Sequence, residues 1–457
     1  MYDVPDKIQD DLGYTYITGE ILSEGGQGIT CRIKGYDDLL VKFIFSDKEN
    51  ENIEFDNPKS RLFINARMNI LRLMSMEKEV RLTMPISRIK FPYCGYIMRF
   101  IGKMEPIANL LERQTKEGSK DSHGKALRRK IFLLLDLAII LRKLHGKGLV
   151  YKDLSENNVF VPTDESLNHT WLIDIDNLDI CNDKTALTPG FAAPEIINGI
   201  TSNTAESDCY SFAILAFETL TGSGPFDGKE SVEYDWSSED TDDEPFEFKA
   251  AKGEIDYIYE ENTDNTKKYG LSLDMCSTKE IADLFMRTFS KEGRNKPYTR
   301  PTMREWESAF SFAADNLRQC SRGHWHFGMK CDYCGDKYDK QNTQFFSVNC
   351  SRPQVFVTDE KTETEYIHEY SYSFCVTEKK RKTFEFPLYF LDRTDNVPCL
   401  SISFRARGDF SISVDFPYNI KQLKHSKEEL KKFSICRMAK KDEIEICQCI
   451  LKRENVL

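Results

Sequence analysis

The sequence predicts an α+β chain in which a strand-rich segment is followed by a helix-rich segment and then by a second strand-rich segment. Apolar and polar residues alternate over residues 12–100, with glycines at the expected turns. Over residues 125–315 the apolar residues recur at helical spacing, most clearly in 130–144 and 210–220. Strands that precede helices in this way predict sheets and helices that are segregated within one domain.

The C-terminal segment, from about residue 340, predicts a mainly β domain, either a sandwich or a small barrel. Four runs in it alternate with a period of two, at 371–378, 383–391, 399–406 and 409–416. The Arg-Gly-Asp sequence at 407–409 lies between two of these runs and is interpreted as a hairpin turn. A short helix is expected at 426–433, with Ser426 as its N-cap. The function of this segment is not readable from its sequence.

Composition excludes several classes of protein. The 457 residues are 40% hydrophobic and 30% charged, so collagen-like, low-complexity and wholly disordered chains are ruled out. The net charge of −11 disfavours general nucleic-acid binding, which depends on neutralising phosphates. The longest apolar stretch, 131–141, is interrupted by Asp136 and is far shorter than the roughly 18 uninterrupted apolar residues that a membrane span requires. With no signal-peptide pattern at the start, we expect a cytoplasmic protein with reduced cysteines.

Two candidate phosphate-binding features lie in the first strand-rich segment. The first is the glycine-rich sequence Ser23-Glu24-Gly25-Gly26-Gln27-Gly28, whose backbone could approach anionic oxygens closely. The alternative is an ordinary glycine-rich hairpin. The second is Lys42, within the apolar strand sequence LLVKFIF. A lysine in a buried strand is costly unless it meets an anion, and the alternative is an edge strand with Lys42 in water.

The helix-rich segment contains an ordered set of acidic and amide residues. Asp153 and Asn158 lie in the sequence YKDLSENN, and Asp174 follows the apolar sequence TWLI. Two short strands around a loop would bring Asn158 and Asp174 together, and their oxygens suit Mg²⁺ beside nucleotide phosphates. Asp153 would then accept a hydroxyl proton. Any one aspartate could be a turn residue, but the ordered set is far more specific.

Three further sequences complete the pattern: TPGFAAPE from Thr188 to Glu195, Ser207-Asp208 before a helix, and Arg300-Pro301-Thr302 before another. Over about residues 12–315 the order of these parts resembles the protein kinase family. Within that family the chain resembles bacterial eukaryotic-like Ser/Thr kinases that carry Asp-x-Asp in place of Asp-Phe-Gly and a zinc-ribbon-like tail.

This resemblance implies a bilobal protein-kinase fold, followed by a small zinc-binding segment and the mainly β domain. The expected boundaries are 12–101 for the N-lobe, 102–316 for the C-lobe, 317–339 for the zinc segment and 340–457 for the last domain. The implied roles are these: Asp153 is the catalytic base; Asn158 and Asp174 bind Mg²⁺; Thr188 lies near the base; Asp208 anchors the catalytic loop; Glu195 pairs with Arg300; and Ser23, Gly25, Gly26, Gly28, Lys42, Met98 and Phe100 bind ATP.

The implied activity is transfer of the γ-phosphate of ATP to Ser or Thr hydroxyls of a protein, with Thr188 favouring Ser/Thr over Tyr. The resemblance also suggests bacterial signalling, stress response or defence, with an operon-encoded phosphatase or binding protein as a partner and no nucleic-acid or membrane partner. The alternatives are a pseudokinase that acts as a nucleotide-binding scaffold and, less favoured, a small-molecule kinase. The Thr188–Glu195 segment argues against the small-molecule kinase because in the family it shapes a peptide-binding surface.

Several residues depart from the family pattern. Ser23 replaces a loop glycine, Lys152 replaces the arginine before the catalytic aspartate, and Ser155 replaces a lysine that contacts the γ-phosphate. Asp176, which replaces a glycine, could add a carboxylate to the metal site or cap a turn. No glutamate is clearly placed to pair with Lys42: the expected helix at 61–76 has no carboxylate inside it. The imperfect candidates are Glu51, Glu54, Glu77 and Glu79.

A second constellation is typical of a zinc site. Cys320, His324, Cys331 and Cys334 have the spacing of four zinc ligands, with a Cys-x2-Cys knuckle at one end. His326 is a competing nitrogen donor, and unrelated core cysteines are the alternative. Four protein ligands predict a closed, structural Zn²⁺ site. Cys447 and Cys449 are more simply explained as two residues on one face of a buried strand.

Overall fold

The computed structural model describes most of the chain through residue 336 and selected strands after it. The described residues are 4–25, 28–45, 69, 80–117, 119–165, 167–175, 178, 187–234, 244–320, 322–336, 343–357, 362–377, 382–387, 399–405, 411–415, 436–437, 443–446 and 449–454. They form two compact units. Unit 1 comprises residues 1–105, 158–163 and 170–178, and unit 2 comprises 106–157, 164–169 and 179–457.

Unit 1 is built on a six-stranded antiparallel sheet with the order β1-β2-β3-β4-β6-β5. Its strands are β1 (Lys7–Gln9), β2 (Thr15–Gly25), β3 (Gly28–Ile33), β4 (Tyr36–Ile44), β5 (Pro85–Arg88) and β6 (Gly95–Arg99). Alternate residues of β3 face the core of this unit, and so do alternate residues in the apolar half of β4. This core includes Ile29, Val41, Phe43 and Ile97. This burial explains the strand-like alternation of the sequence.

A second sheet in unit 1 holds the strands on either side of the predicted metal-binding loop. Its order is β7-β8-β9, with β7 at Met104–Pro106, β8 at Val159–Pro162 and β9 at Trp171–Leu172. Strands β8 and β9 pair antiparallel, and Leu172 also bridges to Leu82. This bridge explains why residues 158–163 and 170–178 cluster with the first hundred residues, whereas the sequence assigns them to the second lobe. The boundaries after residues 101, 316 and 339 stay predictions.

Two long helices form the centre of unit 2. Helix α2 (Lys120–Gly146) begins at the N-cap Ser119, whose hydroxyl accepts the Ser122 N–H at 3.2 Å. Helix α4 (Ala205–Thr221) begins with a capping box between Thr204 and Ser207 and ends at Gly222, which has φ = 77°. Most residues of α4 are buried, so its apolar residues surround the helix instead of forming a stripe. Both helices include the runs that the sequence predicts as helical.

Shorter helices complete unit 2. They are α1 (Ile107–Glu117), α3 (Pro194–Ile197), α5 (Lys229–Glu233), α6 (Phe246–Lys252), α7 (Leu273–Cys276), α8 (Lys279–Phe289), α9 (Lys291–Asn295) and α10 (Met303–Asn316). An aromatic core joins several of them, with Trp306 packed against Phe212, Phe285 and Phe310 at centroid distances of 5.1–6.0 Å. Among the described helices, none has the length and hydropathy needed to span a bilayer.

After α10 the described residues are mainly β-strands. Strands β10 (Arg318–Gln319) and β11 (Trp325–His326) form a hairpin. Two four-stranded sheets follow, with the orders β13-β12-β19-β18 and β14-β15-β16-β17. Their strands are β12 (Thr343–Val357), β13 (Thr362–Thr377), β14 (Lys382–Pro387), β15 (Cys399–Arg405), β16 (Ser411–Asp415), β17 (Cys436–Arg437), β18 (Glu443–Ile446) and β19 (Cys449–Glu454).

These strands overlap all four runs that the sequence predicts there, and β15 pairs antiparallel with β16. The tripeptide 407–409, the expected helix 426–433 and Cys447 lie outside the described residues. An independent C-terminal domain therefore stays a prediction. The described chain as a whole combines antiparallel sheets and α-helices, as an α+β fold requires.

Candidate active site

The unit 1 part of the candidate site is centred on Lys42 in β4. Residue 42 pairs with Thr30 of β3 on one side and with Tyr96 of β6 on the other, so β4 is an interior strand. The interpretation of Lys42 as an edge-strand residue in water is therefore wrong. Lys42 is 7% exposed, and its ammonium group forms an ion pair with the carboxylate of Asp174. Burial is costly for a charged lysine, and a neighbouring anion offsets that cost.

Asn158 and Asp174 lie at matching ends of the β8–β9 hairpin. The Ile173 N–H donates to the Asn158 carbonyl at 3.1 Å, which brings Asn158 beside the residue that precedes Asp174. Asp174 has φ = 53°, a left-handed conformation that aspartate tolerates better than most residues. The two side chains supply amide and carboxylate oxygens, the ligand types that Mg²⁺ prefers. This donor set therefore fits magnesium.

The glycine-rich sequence forms the end of the β2–β3 hairpin. Gly25 pairs with Gly28 across the turn, and Ser23 pairs with Thr30. A Cβ on Gly28 would lie 1.9 Å from the Phe43 carbonyl oxygen, so the close approach of β3 to β4 requires glycine there. Gly26 and Gln27 lie outside the described residues, and so does Asp176.

Met98, near the end of β6, and Phe100, just after it, are two of the residues that the resemblance assigns to ATP binding. Met98 is buried and pairs with Leu40 of β4. The Phe100 N–H donates to the Asp38 carbonyl at 2.7 Å, and the Arg32 guanidinium lies 3.6 Å from the centre of the Phe100 ring. One face of that ring is therefore covered by a cation.

In unit 2, the predicted catalytic loop has its backbone fixed by Asp208. This buried carboxylate accepts the N–H groups of Tyr151 at 2.7 Å and Lys152 at 2.8 Å, and it contacts His145 Nε2 at 3.0 Å. Hydrogen bonds to a buried carboxylate are strong because the acceptor is charged. Lys152 itself is 4% exposed and has φ = 75°, an unusual conformation for a non-glycine residue.

Asp153 lies next to this fixed backbone and is hydrogen-bonded to Thr188. The Thr188 hydroxyl donates to Asp153 Oδ1 at 2.7 Å, although the two residues are 35 positions apart. Thr188 immediately precedes a single 3₁₀ turn, Pro189–Phe191, whose Phe191 carbonyl accepts the Ser211 hydroxyl of α4 at 2.8 Å. The position of Asp153 is thus tied to α4 both through Asp208 and through Thr188.

The predicted Glu195–Arg300 pair is present and deeply buried. The two guanidinium nitrogens of Arg300 each donate to one Glu195 oxygen at 2.7 Å, and the residues are 6% and 4% exposed. A bidentate pair of this kind fixes the direction of both side chains. It anchors α3, which begins three residues after the last residue of the 3₁₀ turn.

The glutamates suggested as partners of Lys42 lie outside the described residues. They are Glu51, Glu54, Glu77 and Glu79, and the predicted helix at 61–76 also lies outside, apart from the helical Asn69. Within the described part of the chain, a carboxylate does meet Lys42, and it belongs to Asp174.

The four predicted zinc ligands converge in unit 2. One ligand atom from each of Cys320, His324, Cys331 and Cys334 lies within 4.8 Å of the others. His324 Nδ1 is 3.5 Å from Cys320 Sγ and 3.7 Å from Cys331 Sγ. Three thiols and one imidazole form a donor set typical of structural zinc sites. Burial raises the pKa of the Cys331 thiol to about 12, so metal binding would have to displace a proton there.

Sequence reasoning missed one residue at this cluster, Asp121. Its Oδ1 lies 2.7 Å from His324 Nε2, on the side of the ring away from the sulfurs. Asp121 precedes His324 by 203 positions, and its own sequence context indicates only the first turn of a helix. No local signal could have connected the two residues.

Comparison with known proteins finds a family match for part of the chain. Residues 97–308 match the family model described as protein kinase domain, so the chain contains a protein kinase domain. Ribosomal protein S6 kinase alpha-2 of Mus musculus is 36% identical over 107 residues, which are 22% of this chain and 14% of that protein. The putative protein kinase C delta type homolog of Drosophila melanogaster is 39% identical over 103 residues, covering 21% and 15%. The chain thus spans about a seventh of the length of these curated relatives.

Proposed function

We propose that this chain is an ATP-dependent protein kinase that transfers the γ-phosphate to Ser or Thr hydroxyls of a protein substrate. The observation that carries the proposal is the ion pair between Lys42 and Asp174, which joins a buried cation to a carboxylate of the magnesium-binding type. Lys42 would bind nucleotide phosphates, together with backbone amides of the β2–β3 turn. Met98 and Phe100 would contact the base.

Asp153 would accept the proton of the attacking hydroxyl. The hydroxyl oxygen then bonds to the γ-phosphorus while the bond from that phosphorus to the β–γ bridging oxygen breaks, and ADP leaves. Asn158 and Asp174 would hold Mg²⁺, which when bound neutralises charge on the phosphates. Thr188 holds the Asp153 carboxylate through its 2.7 Å hydrogen bond, which fixes the direction in which the base points. Transfer of this kind depends mostly on positioning and electrostatics.

The second candidate function is a pseudokinase that binds nucleotide as a scaffold. It is favoured by Ser155, which is 2% exposed and stands where the family resemblance implies a phosphate-contacting lysine. A buried hydroxyl cannot supply that positive charge. We favour the enzyme because Lys42, Asp153, Asn158 and Asp174 are all retained.

The proposal is tested by incubating the full chain with radiolabelled ATP, Mg²⁺ and acceptor proteins, followed by identification of the phosphorylated amino acid. We expect label on Ser or Thr with the wild type and with Asp283→Asn, an exposed aspartate of α8 that serves as the matched control. Asp174→Asn should lose nearly all transfer. Bound ATP with no transfer by the wild type would support the scaffold, and label on Tyr would contradict the substrate class.

We also propose, from the sequence resemblance, that the kinase acts in bacterial signalling, stress response or defence, in the cytoplasm, with an operon-encoded phosphatase or binding protein as its partner.

A further inference from the structure

Three ligand-to-ligand distances in the Cys320–Cys334 cluster agree with those of an occupied tetrahedral zinc site. With Zn–S bonds of about 2.3 Å and a Zn–N bond of about 2.0 Å, tetrahedral geometry places sulfurs about 3.8 Å apart and sulfur and nitrogen about 3.5 Å apart. Cys320 Sγ and Cys334 Sγ are 3.8 Å apart, and His324 Nδ1 is 3.5 Å and 3.7 Å from two of the sulfurs. The Cys320, His324 and Cys331 side chains are buried, so the ligand atoms are held in place by packing.

The outer nitrogen of His324 points at a carboxylate of another element. Its Nε2 lies 2.7 Å from Asp121 Oδ1 in the first turn of α2. Metal-binding histidines commonly donate their second ring N–H to a carboxylate, which fixes the tautomer and the ring orientation. With Nε2–H donating to Asp121, Nδ1 keeps its lone pair for a metal.

A second contact joins the cluster to the same turn of α2. The ring of Tyr333, which lies between two of the cysteines, rests against Gly124, where a Cβ would come within 2.7 Å of the ring. The Tyr333 hydroxyl donates to the Met275 carbonyl in α7 at 3.0 Å. The knuckle therefore packs on α2 and α7 at once, and only glycine at position 124 leaves room for it.

From these contacts we propose that Zn²⁺ in the Cys3His site works as a clasp, which holds residues 320–334 on the first turn of α2, with Asp121 as its outer carboxylate. Helix α2 leads through Gly146 into the predicted catalytic loop, so the clasp stabilises the start of the helix that supports this loop. This inference does not depend on phosphoryl transfer and can be tested without it.

The first test is zinc affinity of the full-length protein, measured by competition with a chromophoric chelator. We expect one zinc per chain and a 10- to 100-fold weaker affinity for Asp121→Ala, the usual cost of removing an outer-shell partner. Lys125→Ala is the matched control, because Lys125 also contacts Asp121, at 2.5 Å, but not the histidine. It should bind zinc as the wild type does. Equal affinity in all three proteins, or no zinc bound at all, would overturn the proposal.

The second test follows hydrogen exchange of the amides in the first turns of α2 with zinc bound and after its removal. We expect removal to speed exchange there at least 10-fold, with little change in α6, which is remote in sequence from the cluster and packs on α3 and the 3₁₀ turn at 189–191. Gly124→Ala should show faster exchange even with zinc present, because the added Cβ displaces Tyr333. If the amides of α2 exchange at the same rate with and without zinc, the clasp is contradicted, even if the protein binds zinc.

Discussion

Lys42 and Asp174 lie 132 residues apart in the chain and form an ion pair within one compact unit. The Lys42 side chain is 9% exposed and that of Asp174 is 23% exposed, so water screens the pair only weakly. Each residue therefore helps to compensate for the burial of the other's charge. A nucleotide and its metal ion would have to replace this attraction when they bind.

We expect this pair to be energetically coupled. Lys42→Met and Asp174→Asn should each lower the free energy of unfolding. The double variant should lose less than the sum of the two single losses, which corresponds to a coupling energy of about 1–3 kcal/mol. Urea unfolding of the four proteins in a double-mutant cycle measures this. Additivity within about 0.5 kcal/mol would contradict the pairing.

The buried Glu195–Arg300 pair should contribute far more than an exposed one. Arg300→Met leaves the Glu195 carboxylate buried without a partner, and we expect a loss of about 3–5 kcal/mol in the free energy of unfolding. The matched control is Arg287→Met, which removes the exposed 2.7 Å pair with Glu305 and should cost less than about 1 kcal/mol. Equal losses from the two substitutions would show that burial is not what makes Glu195–Arg300 important.

We expect the buried Lys130 to make the stability of the protein depend on pH in an unusual way. Burial lowers the pKa of this α2 lysine to about 8, with Cys276 opposing the shift; its ammonium group meets His123 Nδ1 at 3.2 Å and the Leu220 carbonyl at 3.3 Å. Between pH 8 and about 10.5 the unfolded chain holds a proton that the folded chain has released. Stability contributed by this residue therefore rises with pH over that window.

Lys130→Met should remove this rise and stabilise the protein at pH 7 by roughly 1–3 kcal/mol, since a buried charge is replaced by an apolar side chain. The measurement is urea unfolding of both proteins at several values between pH 7 and pH 10. Parallel curves for the two proteins would mean that Lys130 titrates normally.

Gly28 is expected to be required for the sheet as well as for any phosphate contact. Because a Cβ would lie 1.9 Å from the Phe43 carbonyl oxygen, Gly28→Ala must separate β3 from β4 and should cost at least about 2 kcal/mol. Gly146→Ala is the control. No atom lies within 4 Å of a Cβ added at this position, so the free energy of unfolding of the protein should change little. Thermal unfolding compares the two, and an unchanged midpoint for Gly28→Ala would contradict the close approach.

Motifs with fixed spacing are enough to predict several long-range contacts from the sequence alone. The Thr188–Asp153, Asp208–Tyr151 and Glu195–Arg300 hydrogen bonds join residues that the family resemblance assigns to each other. The Cys-x2-Cys knuckle likewise indicates its own metal cluster, because a local turn brings two ligands together. The alternation of strands and the helical periods also indicate the α+β class.

Contacts without a local signal could not be predicted in this way. The partnership of Asp121 with His324 and the need for glycine at position 124 depend on how two remote segments pack. Lys130 is similar, because a lysine that follows two arginines at the start of an apolar helix sequence is as compatible with snorkelling to water as with full burial. The membership of residues 158–163 and 170–178 in unit 1 follows from pairing to Leu82, which periodicity does not encode.

The role of Asp153 as the catalytic base is tested most directly by measuring ATP binding and phosphate transfer on the same preparation of Asp153→Asn. If Asp153 is the base, this variant should bind Mg²⁺–ATP like the wild type and transfer phosphate about 100-fold more slowly or worse. Transfer at the wild-type rate would contradict the proposed mechanism.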